Sequence, residues 1–304
     1  MQVLCIDIGG TSIKGGVISD GIITNKTQTD TNAGGGLKTI KQAACDIIDR
    51  LLNETKVITK GIAVSSAGDI DAHSGRCIYA NNNLPEYSGF DIAGFFGQKY
   101  NLRCAAINDA HAAALAESYV SGEKDFIMLT LGTGVGGGMV KGGMPIFGTD
   151  YCEGKYGHIT LYKKGKACAC GNYGCAESYC SATALIKRAQ TDGLDADNGK
   201  KFFELVAAGD TIALKVLDSY LEDIKKFINL LVQKVSAPVF VIGGGISAAK
   251  ELWLEELRAK LPGIILKTAI TGNDAGIIGA YYWFLEQIKK NNSSKGKEKW
   301  KARK

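Results

Sequence analysis

The chain has 304 residues, 45% of them hydrophobic and 22% charged, and a net charge of +5. That length suits two lobes of ordinary domain size, the composition is that of a water-soluble globular protein, and no apolar run is long enough to span a membrane. Nine cysteines without a secretory signal argue against a disulfide-stapled secreted scaffold and for reduced thiols or metal ligation.

The sequence starts directly on a strand pattern, Val3-Leu4-Cys5-Ile6. It shows no charged leader region or cleavage site, so a cytoplasmic location is expected. Residues 3–27 read as two or three short strands. Between the first two lies Asp7-Ile8-Gly9-Gly10-Thr11. Paired glycines bring bare backbone N–H groups together and Thr11 adds a hydroxyl, as a phosphate-binding turn requires; Asp7 is placed to hold Mg2+ through water. An ordinary Gly-Gly hairpin explains the segment equally well. Apolar spacing predicts a helix over 37–52, then a buried strand at 61–65 and a turn at 66–71. Asn81-Asn82-Asn83-Leu84-Pro85 is an amide-rich loop able to read sugar hydroxyls, although Asn-rich loops are usually turns. A strand over 103–107 runs into Asn108-Asp109, and an Ala-rich helix follows over 110–119. Asp109 stands at the N-cap position, which is also where α/β proteins place catalytic groups, just beyond a strand's C-terminal end.

The strand at 126–131 ends in Gly132-Thr133-Gly134-Val135-Gly136-Gly137-Gly138. This contains the spacing of a dinucleotide fingerprint, which has to open a helix. The glycine density that follows is hostile to a helix, so strand–turn–strand is predicted. It echoes the Gly9-Gly10-Thr11 turn, and the two halves read as loose repeats of one unit.

Four soft-metal ligands, His158, Cys168, Cys170 and Cys175, fall within the 18 residues from 158 to 175. A Cys3His set suits a closed, tetrahedral structural zinc site. Gly165, Gly171 and Gly174 make the segment a turning loop with little apolar surface to bury, and a metal would supply its rigidity. Metal-free buried thiols are the alternative, but a Lys- and Gly-rich loop does not read as core. Helices are predicted over 182–190, 200–207 and 211–235. A buried strand at 239–242 then enters Gly243-Gly244-Gly245, a junction that lets a flat ligand such as a purine approach the backbone. Helices to Lys260 and over 275–290 complete the chain. The segment 289–304 carries eight basic residues against Glu298, a local +7 that leaves the body at −2. Residues 291–304 are expected to be a solvated, disordered tail with no nucleic-acid partner.

Three glycine turns, the Asn-Asp pair and the Cys3His loop occur here in a fixed order. In this the chain resembles the ROK family of sugar kinases and repressors, over nearly its whole length from Asp7 to Ala280. The most specific part is Gly157-His158 with Cys168-x-Cys170-Gly171-x-x-Gly174-Cys175-x-Glu177. The resemblance implies an α/β, actin-like (ribonuclease H-like) ATPase fold with two lobes around a central cleft. One lobe would be 1–118 with helix 275–290 returning to it, the other 119–274 with the zinc loop 158–175. It implies an ATP-dependent kinase acting on the 6-hydroxyl of a hexose, with Mg2+ and a structural Zn2+. Asp7, Gly9, Gly10, Thr11, Gly132, Thr133, Gly134, Gly243, Gly244 and Gly245 would bind the nucleotide. Asp109 would be the base, and Asn83, Asn108, His158 and Glu177 would contact the sugar. Dimers are common in the family, so a homodimer is expected.

Two departures bear on the substrate. The family's usual Gly-Glu-x-Gly-His is Gly154-Lys155-Tyr156-Gly157-His158 here, and its Asn-Asp-Ala-Asn is Asn108-Asp109-Ala110-His111. Lys155 donates and cannot accept, Glu153 is out of register as a substitute, and N-acetylmannosamine stands beside glucose as a candidate. A ROK repressor would need an N-terminal helix-turn-helix, for which Asp7 in the first strand leaves no room. An NAD-dependent oxidoreductase is disfavoured by the helix-breaking run after Gly134. A non-catalytic sugar sensor is the remaining rival.

Overall fold

In β1 (Gln2–Ile8), Val3 and Cys5 pack into one apolar cluster and Leu4, Ile6 and Ile8 into another. Successive side chains alternate faces, so a strand buried at almost every position needs a cover on both sides. The computed structural model, which describes residues 1–55, 59–148, 154–235 and 239–301, supplies both covers with helices. The chain divides into two units: Met1–Gly122, Phe147–Cys152 and Asn273–Lys304 form the first, and Glu123–Ile146 with Glu153–Gly272 the second.

In the first unit β2 (Ser12–Ser19) and β3 (Ile22–Asp30) extend β1 as an antiparallel meander. Helix α1 (Gly36–Thr55) leads to β4 (Ile62–Ser66), which pairs parallel with β1. A two-stranded ribbon follows, β5 (Asp69–Asp71) with β6 (Arg76–Tyr79); β5 falls within the turn expected over 66–71. Next come α2 (Ile92–Tyr100), β7 (Cys104–Asn108), parallel to β4, and α3 (Asp109–Ser121). The sheet order is β3-β2-β1-β4-β7.

The second unit repeats the plan. β8 (Phe126–Leu131), β9 (Val135–Lys141) and β10 (Met144–Ile146) form the meander. After four helices, α4 (Glu177–Cys180), α5 (Ala182–Thr191), α6 (Gly199–Ala207) and α7 (Thr211–Lys234), come β11 (Val239–Gly243), α8 (Leu254–Lys260) and β12 (Ile265–Thr268). The order β10-β9-β8-β11-β12 reproduces the first sheet strand for strand, so the repeat legible around the glycine turns extends to all five strands. The core joins Leu129, Leu131, Phe240 and Ile242 to Tyr220, Ile224, Phe227 and Leu231 of α7, spaced at the helical period.

The final helix, α9 (Ala275–Lys301), belongs to the first unit. Its stripe Ile277, Ala280, Tyr281 and Phe284 packs on Val3, Cys5 and Ala63. A Cβ on Gly279 would lie 1.8 Å from the Ala112 carbonyl oxygen of α3, so this glycine sets how closely the two helices approach. The helix continues to Lys301 where a disordered tail was expected from residue 291; lysines have good helix propensity, and charge density alone did not break it. Residues 302–304 and Glu153 lie outside the described residues. No described helix is long and apolar enough to cross a membrane.

Candidate active site

In the first unit, the turn from β1 to β2 holds Gly9, Gly10 and Thr11. The Gly9 N–H donates to Ser12 O (3.0 Å). Thr31, fully buried, donates its N–H to Thr11 O (2.9 Å) and its hydroxyl to Gly9 O (2.6 Å). A Cβ on Gly10 would come within 3.1 Å of Asn83 Cβ, so the Asn-rich loop lies against this turn. Asp7 accepts from Ser65 Oγ at 2.7 Å. Burial raises its pKa, against the hydrogen bond from Ser65 and the charge of Lys14. The first turn of α9 touches it: a Cβ on Gly276 would sit 2.5 Å from Asp7 Cγ.

Asn108, not Asp109, caps α3. Its Oδ1 accepts the N–H groups of Ala110 (3.0 Å) and His111 (3.1 Å), and its Nδ2 donates to Gly68 O (2.8 Å) and Asp109 Oδ1 (2.9 Å). Asp109 is the first helical residue. Its Oδ1 also accepts the Ala110 N–H at 2.8 Å, while Oδ2 takes no hydrogen bond among the described residues. Burial first, and then the negative charge of Asp7, push the Asp109 carboxyl up to about 7. The cap is thus filled by a neutral amide, which leaves a carboxylate at the strand end poised to exchange a proton near neutrality.

In the second unit, β9 follows the Gly132–Gly134 turn as an antiparallel strand, which rules out the strand–helix junction of a dinucleotide fingerprint. The turn is tied to the segment after the cysteine loop. Gly132 O accepts the Ala182 N–H (2.8 Å), Thr133 O accepts from Thr183 Oγ1 (2.9 Å), and the Val135 N–H donates to Glu177 Oε2 (3.0 Å). The other oxygen of Glu177 is 3.8 Å from Cys168 Sγ.

The loop brings His158, Cys168, Cys170 and Cys175 together, their ligand atoms all within 4.8 Å of one another. Cys168 Sγ lies 3.8 Å from His158 Nδ1 and Cys170 Sγ 3.7 Å from Cys175 Sγ. A zinc tetrahedron with Zn–S near 2.3 Å has edges of roughly 3.6–3.8 Å, so donor set and spacing both fit the ion. The loop is anchored by Tyr162, which donates to Asp223 (2.6 Å), itself paired with Arg188. Lys155, exposed, begins the 3-10 turn Tyr156–His158.

Gly243 ends β11. Gly244 has φ +85°, and a Cβ there would meet Leu131 O at 2.4 Å, so this position demands glycine. The continuous helix expected after the triple glycine is instead a 3-10 helix, Gly245–Leu252, kinked at Ala249, and then α8. Gly245 lines a cavity of about 580 Å³ whose walls include Ile246, Leu252, Phe203, Leu185 and Ala182. Gly243 and Gly244 do not line it. Sequence reading missed Thr31, Thr183 and the cavity walls, because their partners are remote in the chain.

Two sheets of one topology, each opening on a hairpin whose glycine turn bares its amides, define an actin-like ATPase fold. The chain belongs to the ROK family, whose profile matches residues 3–287. It is 32% identical to a glucokinase of Halalkalibacterium halodurans, over 96% of this chain and 97% of that one. With an N-acetylmannosamine kinase of Escherichia coli it shares 31% identity, over 92% and 97%. Among solved structures it resembles a ROK hexokinase from Thermus thermophilus (TM-score 0.79, 30% identity, 95% of this chain and 100% of that one). A Streptomyces griseus ROK glucokinase in complex with glucose and AMPPNP is also similar (TM-score 0.80, 27% identity, 92% and 98%).

Proposed function

We propose that this protein is an ATP-dependent kinase that phosphorylates the 6-hydroxyl of a hexose, glucose or a hexose derivative. The observation that carries the reading is Asp109: a carboxylate with one oxygen fixed by Asn108 and Ala110 and a pKa near 7. Such a group takes a hydroxyl proton as the oxygen attacks phosphorus. Phosphoryl transfer otherwise rests on positioning and charge neutralisation. The amides of the Gly9–Thr11 and Gly132–Gly134 turns take the phosphates. The apolar cavity beside Gly245 takes the base. Asn83, Asn108, His158 and Glu177 orient the sugar. Asp7, a half-buried carboxylate with its second oxygen free of hydrogen bonds among the described residues, suits Mg2+ held through water, which would neutralise phosphate charge. His158, Cys168, Cys170 and Cys175 hold a structural zinc that stiffens the loop carrying Glu177.

A second substrate reading, N-acetylmannosamine, is favoured by Lys155, a donor where the family usually carries an acceptor, and by the N-acetylmannosamine kinase relative. ADP release measured with ATP against glucose, mannose and N-acetylmannosamine, with the phosphate's position assigned by NMR, tests both. A 6-phosphate on one of these sugars supports the proposal. Sugar binding with no ADP release from any of them would make the protein a sensor.

A further inference from the structure

A turn binds phosphate through its N–H groups, and something must keep those groups facing outward. In a planar trans peptide, the C=O of one residue and the N–H of the next point in opposite directions. Fixing a carbonyl therefore aims the following amide. Both glycine turns are held in this way by residues that touch no glycine fingerprint in the sequence. Thr31 Oγ1 holds Gly9 O at 2.6 Å, which turns the Gly10 N–H the other way. The Ala182 N–H holds Gly132 O at 2.8 Å and Thr183 Oγ1 holds Thr133 O at 2.9 Å, which aims the N–H groups of Thr133 and Gly134. Among the described residues, those three amides, Gly10, Thr133 and Gly134, donate to no acceptor, while every carbonyl opposite them is engaged. The same arrangement appears in both units with no local sequence in common: Thr31 follows a strand, and Thr183 lies in the first turn of α5.

We propose that Thr31 and Thr183 are positioning residues that clasp the carbonyl side of the two turns and so present their amides to the phosphates. The inference rests on the kinase reading above and adds two residues that its motifs do not contain. Thr183→Val removes the hydroxyl at nearly constant volume and Thr183→Ser restores it; Thr31→Val and Thr31→Ser form the matching pair in the other turn.

Calorimetry with magnesium AMP-PNP and, separately, with adenosine is the test, beside the KM values for ATP and sugar. Each valine variant should bind AMP-PNP about threefold to tenfold more weakly, the equivalent of one hydrogen bond. Adenosine affinity and sugar KM should stay within about twofold of wild type, and each serine variant should return to it. A purely structural role would move all ligands and the melting temperature together, and that result overturns the proposal. So does unchanged AMP-PNP affinity in Thr183→Val and Thr31→Val. A wild-type protein that binds no AMP-PNP removes the kinase reading and the clasp with it, whereas normal wild-type binding with indifferent variants removes the clasp alone.

Discussion

Glu177 Oε2 accepts the backbone N–H of Val135 at 3.0 Å, and a Cβ on the preceding Gly134 would lie 2.4 Å from that same oxygen. The bond spans 42 positions of sequence and ties the glycine turn to a residue two places beyond Cys175. With Oε1 lying 3.8 Å from Cys168 Sγ, one carboxylate joins the metal loop to the turn.

Glu177 should therefore matter to the nucleotide as well as the sugar. Glu177→Ala strips the acceptor from Val135 and should raise KM for ATP and for sugar, each by about tenfold, as expected for an unpaired amide. Glu177→Gln keeps an oxygen acceptor and should preserve most of the ATP affinity. Steady-state kinetics varying each substrate would show it; an Ala variant with only its sugar KM changed removes the turn from the role of Glu177.

Asp109→Asn should retain the fold and sugar affinity while lowering turnover by roughly 10²-fold or more. In the wild type, kcat/KM should fall with a limb near pH 7 on the acid side, because the base works only when ionised and its pKa is about 7. Stability gives an independent check. A folded-state pKa raised above the ordinary carboxyl value of 3.8 means the carboxyl's contribution is greatest below that value and is lost as pH rises through 7. Asp109→Asn, with no charge to bury, should be more stable than wild type at pH 8, by up to about 4 kcal/mol for a shift of this size. That gap should close toward pH 4. Denaturant melts at the two pH values decide.

Purified protein should carry one zinc per chain by elemental analysis. Cys175→Ser should release it and lower activity in proportion to the metal lost, because the loop holding Glu177 and His158 loses its rigid centre. Protein isolated without metal yet fully active would exclude the ion.

Lys155 should decide the sugar. A cation that donates but cannot accept stands where the family usually carries an acceptor for sugar hydroxyls, so unmodified glucose should be a poorer substrate than N-acetylmannosamine. Lys155→Glu should shift kcat/KM back toward glucose. If the wild type already prefers glucose and Lys155→Glu changes nothing, Lys155 plays no part in the choice.

The strands flanking the glycine turns were legible because their signal is contiguous: apolar runs such as Phe126–Leu131 abut turn residues whose chemistry is local. The pairing of His158 with three cysteines was legible from ligand type and spacing alone. Assigning the cap to Asp109 missed by one position, since Asn and Asp serve equally as caps and only backbone geometry separates Asn108 from its neighbour. Short elements such as β5, β10 and β12 carry too few residues to show a period. The clasps by Thr31 and Thr183 were invisible in the sequence, because their acceptors lie 22 and 50 positions away and threonine is unremarkable at either place.

Helix α9 has a consequence for how the protein comes into being. Its residues Ile277, Tyr281 and Phe284 complete the apolar cluster around Val3 and Cys5, yet they are translated only after the entire second unit. The first sheet therefore leaves the ribosome ahead of the second unit but waits, with one face uncovered, until that whole unit has been translated. During synthesis the second unit, continuous in the chain apart from one short excursion, is able to fold ahead of it. Until α9 arrives, the uncovered apolar strand face of the nascent first half is open to the non-native association that exposed hydrophobic surface invites.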